Sequence, residues 1–118
     1  MTEMTKAATD VLAERERQKS VEGWTAEHDD EHAGGEMAGA AACYATGRWL
    51  LQTVSFYRGR RRLTEEKPVW PWGVMWWKPR DKRSNLVRAG ALILAEIERI
   101  DRAASPYGKA VVKEKDDE

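Results

Sequence analysis

Residues Ser84–Ala104, "SNLVRAGALILAEIERIDRAA", carry the pattern that decides the fold. Leu86, Val87, Gly90, Ile93, Leu94, Ile97 and Ile100 recur at steps of three and four, which places them on one stripe of an α-helix. Asp81 or Ser84 supplies the short oxygen-bearing side chain that caps a helix start, and Pro106 closes the far end. The stripe predicts a core helix, and a small protein built around one is mainly α.

Immediately before it lies "RGRRRLTEEKPVWPWGVMWWKPRDKR", Arg58–Arg83. Pro68, Pro71 and Pro79 forbid a continuous helix, so this part is predicted to be extended, with short β-structure as one form of it. In an extended chain Trp70 and Trp72 send their rings to opposite sides, and Trp76 and Trp77 do the same, one toward the core and one toward the surface. Four of the six tryptophans sit here, beside Lys78, Arg80, Lys82 and Arg83. Rings that stack and cations that neutralise are the ingredients of a site for a nucleobase carrying phosphate. The plainer use of the same tryptophans is to fill a core that holds few other aromatics.

Two further helices are predicted. The first spans about Thr5–Lys19 with Thr2 or Thr5 as cap; Ala8, Val11, Leu12 and Arg15 mark its inner face, and Glu14, Glu16, Arg17 and Lys19 a solvated one. The second spans about Glu36–Tyr57, after Gly34-Gly35, with small residues in its first half and Gly47 as the point where it would kink or break. The expected fold is a compact three-helix single domain over residues 1–108, mainly α, with the Trp/Pro-rich segment packed across the helices. Residues 109–118, almost all charged, are expected to form a disordered tail.

Composition narrows the function. The chain has 118 residues, with 20 Lys plus Arg against 20 Asp plus Glu, so no net charge draws it toward nucleic acid or an acidic surface. The basic run Arg58–Arg62 is balanced by an acidic one and is read as surface charge, not as a nucleic-acid contact. No apolar run approaches the roughly 20 residues that span a bilayer, and residues 1–10 lack the layout of a signal peptide. The lone Cys43 excludes an internal disulfide. A cytoplasmic protein is the expectation. Neither a phosphate-binding G-x-x-x-x-G-K-[ST] loop nor a G-x-S-x-G nucleophile elbow occurs.

The remaining conspicuous stretch is "VEGWTAEHDDEH", Val21–His32. His28 and His32 share the spacing of the H-E-x-x-H zinc motif, but Asp29 stands where that motif has its glutamate base, and Gly34-Gly35 argues against a helix through both histidines. His28, Asp30 and His32 are the weak candidates for a metal. Magnesium is the ion that Glu27, Asp29, Asp30 and Glu31 would prefer, since it takes hard oxygen donors. Glu98 and Asp101 form half of the E-x-x-D arrangement of helical nucleotide pyrophosphohydrolases, without its partner glutamates. Nothing here requires catalysis or a cofactor. Most of these carboxylates are read as a solvated acidic turn.

The order of Arg17, Gly23-Trp24, Asp30, a proline- and aromatic-containing segment, and Lys82-Arg83-Ser84-Asn85 resembles the ryanodine-receptor repeat domain, which also occurs as a single copy in bacteria and phages. That family runs directly from its aspartate into the extended segment, whereas this chain inserts residues 35–67. Over nearly its whole length the chain also resembles a set of small tailed-phage and prophage proteins sharing the "EGWT", "EHDD", "WPW", "WWKP" and "AGALILAEIERID" pieces. The repeat-domain resemblance implies a nucleotide-type ligand. It makes Trp24 the stacking ring, Arg17 a phosphate contact or holder of the turn, and Asp30 the group that orients the turn or binds a ribose hydroxyl.

The expected function is therefore that of a phage-encoded binding protein for a nucleotide or nucleotide-derived signal, sequestering a host immune messenger. Its expected ligand residues are Arg17, Trp24, Asp30, Trp70, Trp72, Trp76, Trp77, Lys78, Arg80 and Arg83. Homo-oligomerisation is expected with it, because small binders often build pockets at a symmetric interface. The alternatives are a protein-interaction module using exposed tryptophans, and a metal-dependent nucleotide phosphohydrolase on His28, Asp30 and His32.

Overall fold

The computed structural model describes residues 3–105; the expected closing Pro106 and the charged tail lie outside them. The element order is α1 (Lys6–Ser20), α2 (Ala26–Asp30), α3 (Glu36–Thr46), β1 (Leu51–Arg58), β2 (Arg61–Pro68), a 3-10 turn (Val74–Trp76) and α4 (Lys82–Ala104). The described residues are thus mainly α, with one small antiparallel sheet. None of their helices is long and apolar enough to cross a membrane.

Both long helices begin where short polar side chains hold the first turn. Thr5 Oγ1 accepts the Ala8 N–H at 3.1 Å. Asp81 accepts the Ser84 N–H at 3.1 Å and the Ser84 hydroxyl at 2.6 Å, and these Ser84 hydrogen bonds hold its carboxyl below the ordinary aspartate value.

The second helix ends eleven residues before Tyr57, the end expected from the sequence. Gly47, at φ +68°, takes the left-handed conformation that closes a helix, and its N–H returns to the Cys43 and Tyr44 carbonyls. The chain then becomes strand. Thr53, Val54, Phe56 and Tyr57 have the branched and aromatic side chains that fit a pleated surface better than a helix. Pairing runs from Leu51 opposite Pro68 to Arg58 opposite Arg61, leaving a two-residue turn in which Gly59, at φ +64°, fills the first central position. The expected basic loop is thus the tip and second strand of a hairpin.

The core differs from the expected stripe. α4 turns Asn85, Ala89, Ala91, Leu92 and Ala95 inward, whereas Leu86, Ile93, Ile97 and Ile100 stay 46–49% exposed. α4 carries two apolar faces, one of alanines and one of isoleucines. The alanine face is buried because α3 offers small residues too, Ala40 and Ala41, and small side chains let helices approach closely. Gly90 faces α1, where a Cβ would lie 3.2 Å from both Val11 methyls. On the far side of α3, a Cβ at Gly39 would meet the Val69 carbonyl oxygen at 2.9 Å, so only glycine lets the Trp-rich segment lie this close.

That segment is not extended throughout. After Pro71 it bends, and the Trp70 indole N–H donates to the Gly73 carbonyl at 3.1 Å. Trp70 and Trp72 therefore do not part to opposite sides; their rings meet edge-to-face at 5.4 Å. Trp70 is buried with Met37, Cys43, Tyr44 and Leu92, and Trp72 and Trp77 pack on that cluster.

Candidate functional site

α1 presents a buried arginine to the loop that follows it. Arg15 Nη2 donates to Asp29 Oδ2 at 3.0 Å and to Glu98 Oε1 at 3.1 Å, and Nη1 reaches the Trp24 carbonyl at 3.4 Å. One guanidinium thus joins α1, α2, α4 and the backbone of Trp24. Arg15 holds this turn at the Trp24 carbonyl, and Arg17 pairs with Glu22 in the same turn at 3.4 Å. Sequence placed Arg15 on an apolar face, and a charge in that position is the signal of a buried partner. Asp30 points elsewhere, pairing with Arg102 at 2.8 Å.

The turn is also shaped by the short helix α2, which ends at Asp30, before His32, in keeping with the two glycines that follow. Thr25 Oγ1 caps α2 by accepting the His28 N–H, and the His32 N–H bonds to the Asp29 carbonyl. His28 and His32 thereby face the same way, with ring centroids 4.7 Å apart. Trp24 lies parallel to His28 at 6.0 Å and 5.9 Å from Trp72, and Trp72 meets His32 edge-on at 5.7 Å. Four rings form a closed circuit built from two distant stretches of sequence.

This circuit forms one wall of a cleft of about 520 Å³. Trp70, Trp76 and Tyr44 extend the aromatic surface, and Arg17, Lys78 and Arg88 line it with positive charge. Its size falls within the range of small-molecule sites, which runs from roughly 300 to 1,000 Å³. Trp76 is 63% exposed and forms the rim. Trp77 does not line the cleft; it packs behind it, 5.1 Å from Tyr44 and from Trp70.

Of the expected solvated face of α1, Glu14 and Arg17 line this cleft, while Glu16 and Lys19 pair on the surface. Arg17 forms two parallel bonds of 2.8 Å to the Glu14 carboxylate, and Gln18 Nε2 donates to Glu14 at 3.2 Å. Burial pushes the Glu14 carboxyl up, but the hydrogen bonds and charge of Arg17 outweigh it and hold the group below the ordinary glutamate value. The Arg17 guanidinium is pushed up in turn, chiefly by Glu14. Gln18 is buried, and its Oε1 has no hydrogen-bond partner among the described residues. Arg88, which sequence did not single out, lies over the Tyr44 ring at 5.4 Å and donates to the Tyr44 hydroxyl at 3.3 Å.

Arg80 and Arg83 lie away from the rings. With Asp10 and Ser84 they line a second cleft of about 420 Å³, into which Arg17, Arg88 and Glu14 also project. Of the expected ligand residues, the first cleft thus gathers Arg17, Trp24, Trp70, Trp72, Trp76 and Lys78, while Arg80 and Arg83 stand next door and Asp30 and Trp77 face other neighbours. Among the described residues, no group of three or more His, Cys, Asp or Glu side chains is placed to hold a metal ion. His28 Nδ1 instead lies 3.3 Å from Asp29, and His32 Nδ1 lies 3.7 Å from Glu36.

No family model matches the chain, and no curated protein or solved structure matches it significantly.

Proposed function

We propose that this protein binds a nucleotide or nucleotide-derived signalling molecule and acts by holding it rather than by transforming it. The observation that carries the reading is the cleft in which Trp24, Trp72 and Trp76 line the same space as Arg17, Lys78 and Arg88. A flat base stacked on one tryptophan contributes roughly 1–3 kcal/mol, and a guanidinium or ammonium at the same cleft selects for phosphate. The buried Gln18 Oε1 is an acceptor left unpaired, and a ligand N–H reached by a small rotation of the side chain would satisfy it. With the likeness to small phage proteins, this makes sequestration of a host immune messenger in the infected cell's cytoplasm the proposed role. Such a role needs affinity alone.

A thermal-shift screen against nucleosides, nucleotides, cyclic nucleotides and adenosine-diphosphate-ribose, with and without EDTA, tests it. Free ligand at 100 times its dissociation constant adds about 2.7 kcal/mol of stability, several degrees for a domain this size. One ligand class is expected to give that shift with EDTA present, and Trp72→Ala is expected to abolish it. A flat screen with folded protein would refute the reading. One observation would then favour a protein-interaction module: Val74, Met75 and Trp76 form an exposed apolar turn on the surface, of the kind that anchors protein contacts.

Self-association belongs to the same proposal. The half-exposed stripe of Leu86, Ile93, Ile97 and Ile100 has the three-and-four spacing that pairs helices, and a second copy is its proposed cover. Laid antiparallel, two α4 helices would bring Lys82 and Arg83 of one copy toward Asp101 of the other, and oppose their dipoles favourably. Light scattering at micromolar concentration is expected to return a dimer mass that Ile97→Lys reduces to a monomer. A monomer before substitution would refute the pairing.

A further inference from the structure

We infer that the two clefts are halves of one site, the aromatic cleft taking a nucleobase and the second cleft taking the phosphates of a nucleotide that carries at least two of them. The inference rests on the nucleotide reading of the first cleft and assigns the second one a role.

Three observations carry it. First, the clefts are adjacent: Glu14, Arg17 and Arg88 line both. A ligand leaving the tryptophan wall in this direction meets Arg17 and Arg88. Second, the second cleft has the wrong surface for a base and the right one for an anion. It is lined by Arg17, Arg80, Arg83 and Arg88 against Asp10 and Glu14, and among the described residues no aromatic side chain borders it. Guanidinium groups match phosphate oxygens with paired N–H donors, and a net positive cleft favours a multiply charged ligand over a neutral one.

Third, the cations there are unequally engaged. Arg17 is committed to Glu14 and, at 3.4 Å, to Glu22. Arg83 pairs with Asp10 at 2.9 Å, but both groups are partly open to solvent, and Asp10 has Lys6 as a second partner at 2.7 Å. Arg83 can therefore turn to a phosphate while Asp10 keeps an ion pair. Arg80 uses its backbone N–H on the Asn85 side chain at 2.7 Å, and its carbonyl accepts from the same amide at 2.9 Å. Its backbone is thus pinned by a buried asparagine, while its guanidinium makes no hydrogen bond or close ion pair among the described residues; Asp81 feels its charge only at longer range. An anchored arginine with an uncommitted head at the mouth of a basic cleft is placed to bind an anion.

Isothermal titration calorimetry with adenosine, guanosine, cytidine and uridine, and with their 5′-mono-, di- and triphosphates, separates the two claims. The base that binds as a nucleoside tests the first cleft; the gain on adding phosphates tests the second. The diphosphate is expected to bind about tenfold or more tighter than the nucleoside, as expected for one or two charge-assisted hydrogen bonds. The gain should shrink as salt is raised from 50 to 500 mM. Arg80→Ala, which removes a guanidinium with no hydrogen bond or close ion pair among the described residues, is expected to bring the diphosphate-to-nucleoside ratio down toward one, and inorganic pyrophosphate should compete with the diphosphate. A nucleoside that binds while added phosphates contribute nothing, or a ratio that Arg80→Ala leaves intact, would overturn the inference and leave the nucleobase cleft standing. No binding by any nucleoside or nucleotide would overturn both.

Discussion

Replacing Arg15 with alanine is expected to destabilise the protein by about 3–5 kcal/mol, the range for stripping one partner from a buried ion pair. For a domain of about 100 residues, each kcal/mol lowers Tm by roughly 4–8 °C, so the melting transition should fall by well over ~10 °C. The asymmetry of the site is what makes the effect large. Asp29 has no exposed surface, and Arg15 is its buried cationic partner. Glu98, the guanidinium's other partner, has a side chain 45% exposed and turns readily to water. Without Arg15, Asp29 keeps, among the described residues, the His28 imidazole at 3.3 Å for its other oxygen. Asp29→Asn should cost much less, since Arg15 then keeps Glu98 and the Trp24 carbonyl. Urea denaturation of both variants checks this. Equal losses, or a loss below about 1 kcal/mol for Arg15→Ala, would mean that Asp29 is not stranded by the change. The site should suffer as well, because the same guanidinium fixes the backbone of Trp24.

Trp70→Ala is expected to be the other severe substitution, at about 3–5 kcal/mol. The ring is 4% exposed and contacts Tyr44 at 5.5 Å, Trp72 at 5.4 Å and Trp77 at 5.1 Å, while its N–H closes the turn to Gly73. Truncation would open a void at the centre of an aromatic cluster and take the indole donor from the Gly73 carbonyl, which keeps the Trp76 N–H at 3.0 Å. Trp76→Ala supplies the contrast. That ring stands at the rim, and its loss should change stability by no more than about 0.5 kcal/mol. Thermal melts, with near-UV circular dichroism to report the aromatic packing, should separate the two by more than 10 °C. Similar melting temperatures would contradict the division between a core tryptophan and a rim tryptophan. Effects at Trp70 and Trp77 should not add, because the two rings touch.

Local chemistry was legible where a residue's own preferences decide the outcome. That each long helix starts at a short oxygen-bearing side chain, and the interruption by Pro68, Pro71 and Pro79, follow from side-chain oxygens and from rings that lack an N–H; the structure picks Thr5 and Asp81 from the two caps offered at each start. The hairpin was missed because Leu51–Tyr57 continues an apolar pattern from α3, and Gly47 is compatible with either a kink or a stop. Only the left-handed backbone there, together with a second strand able to pair, resolves the choice. The cleft was half legible. Its tryptophans stand out by their number, but Arg88, Tyr44 and Gln18 carry no mark in sequence that separates them from ordinary helix residues.

By itself, then, the sequence determined that the chain is mainly helical, where its two long helices begin, and that aromatic and cationic side chains are its chemical endowment. Tertiary structure decided which face of α4 is inside. Periodicity counts apolar residues around a helix but not the depth of the groove offered by the neighbour, and the alanines of α3 accept Ala89 and Ala95 more closely than they would isoleucines. It also decided which cations meet which rings. Arg17 and Arg88 join the tryptophans from other helices, while Arg80 and Arg83, their neighbours in sequence, are turned away by the start of α4. Side chains a few residues apart leave a helix start in different directions, so nearness along the chain does not set nearness in the site.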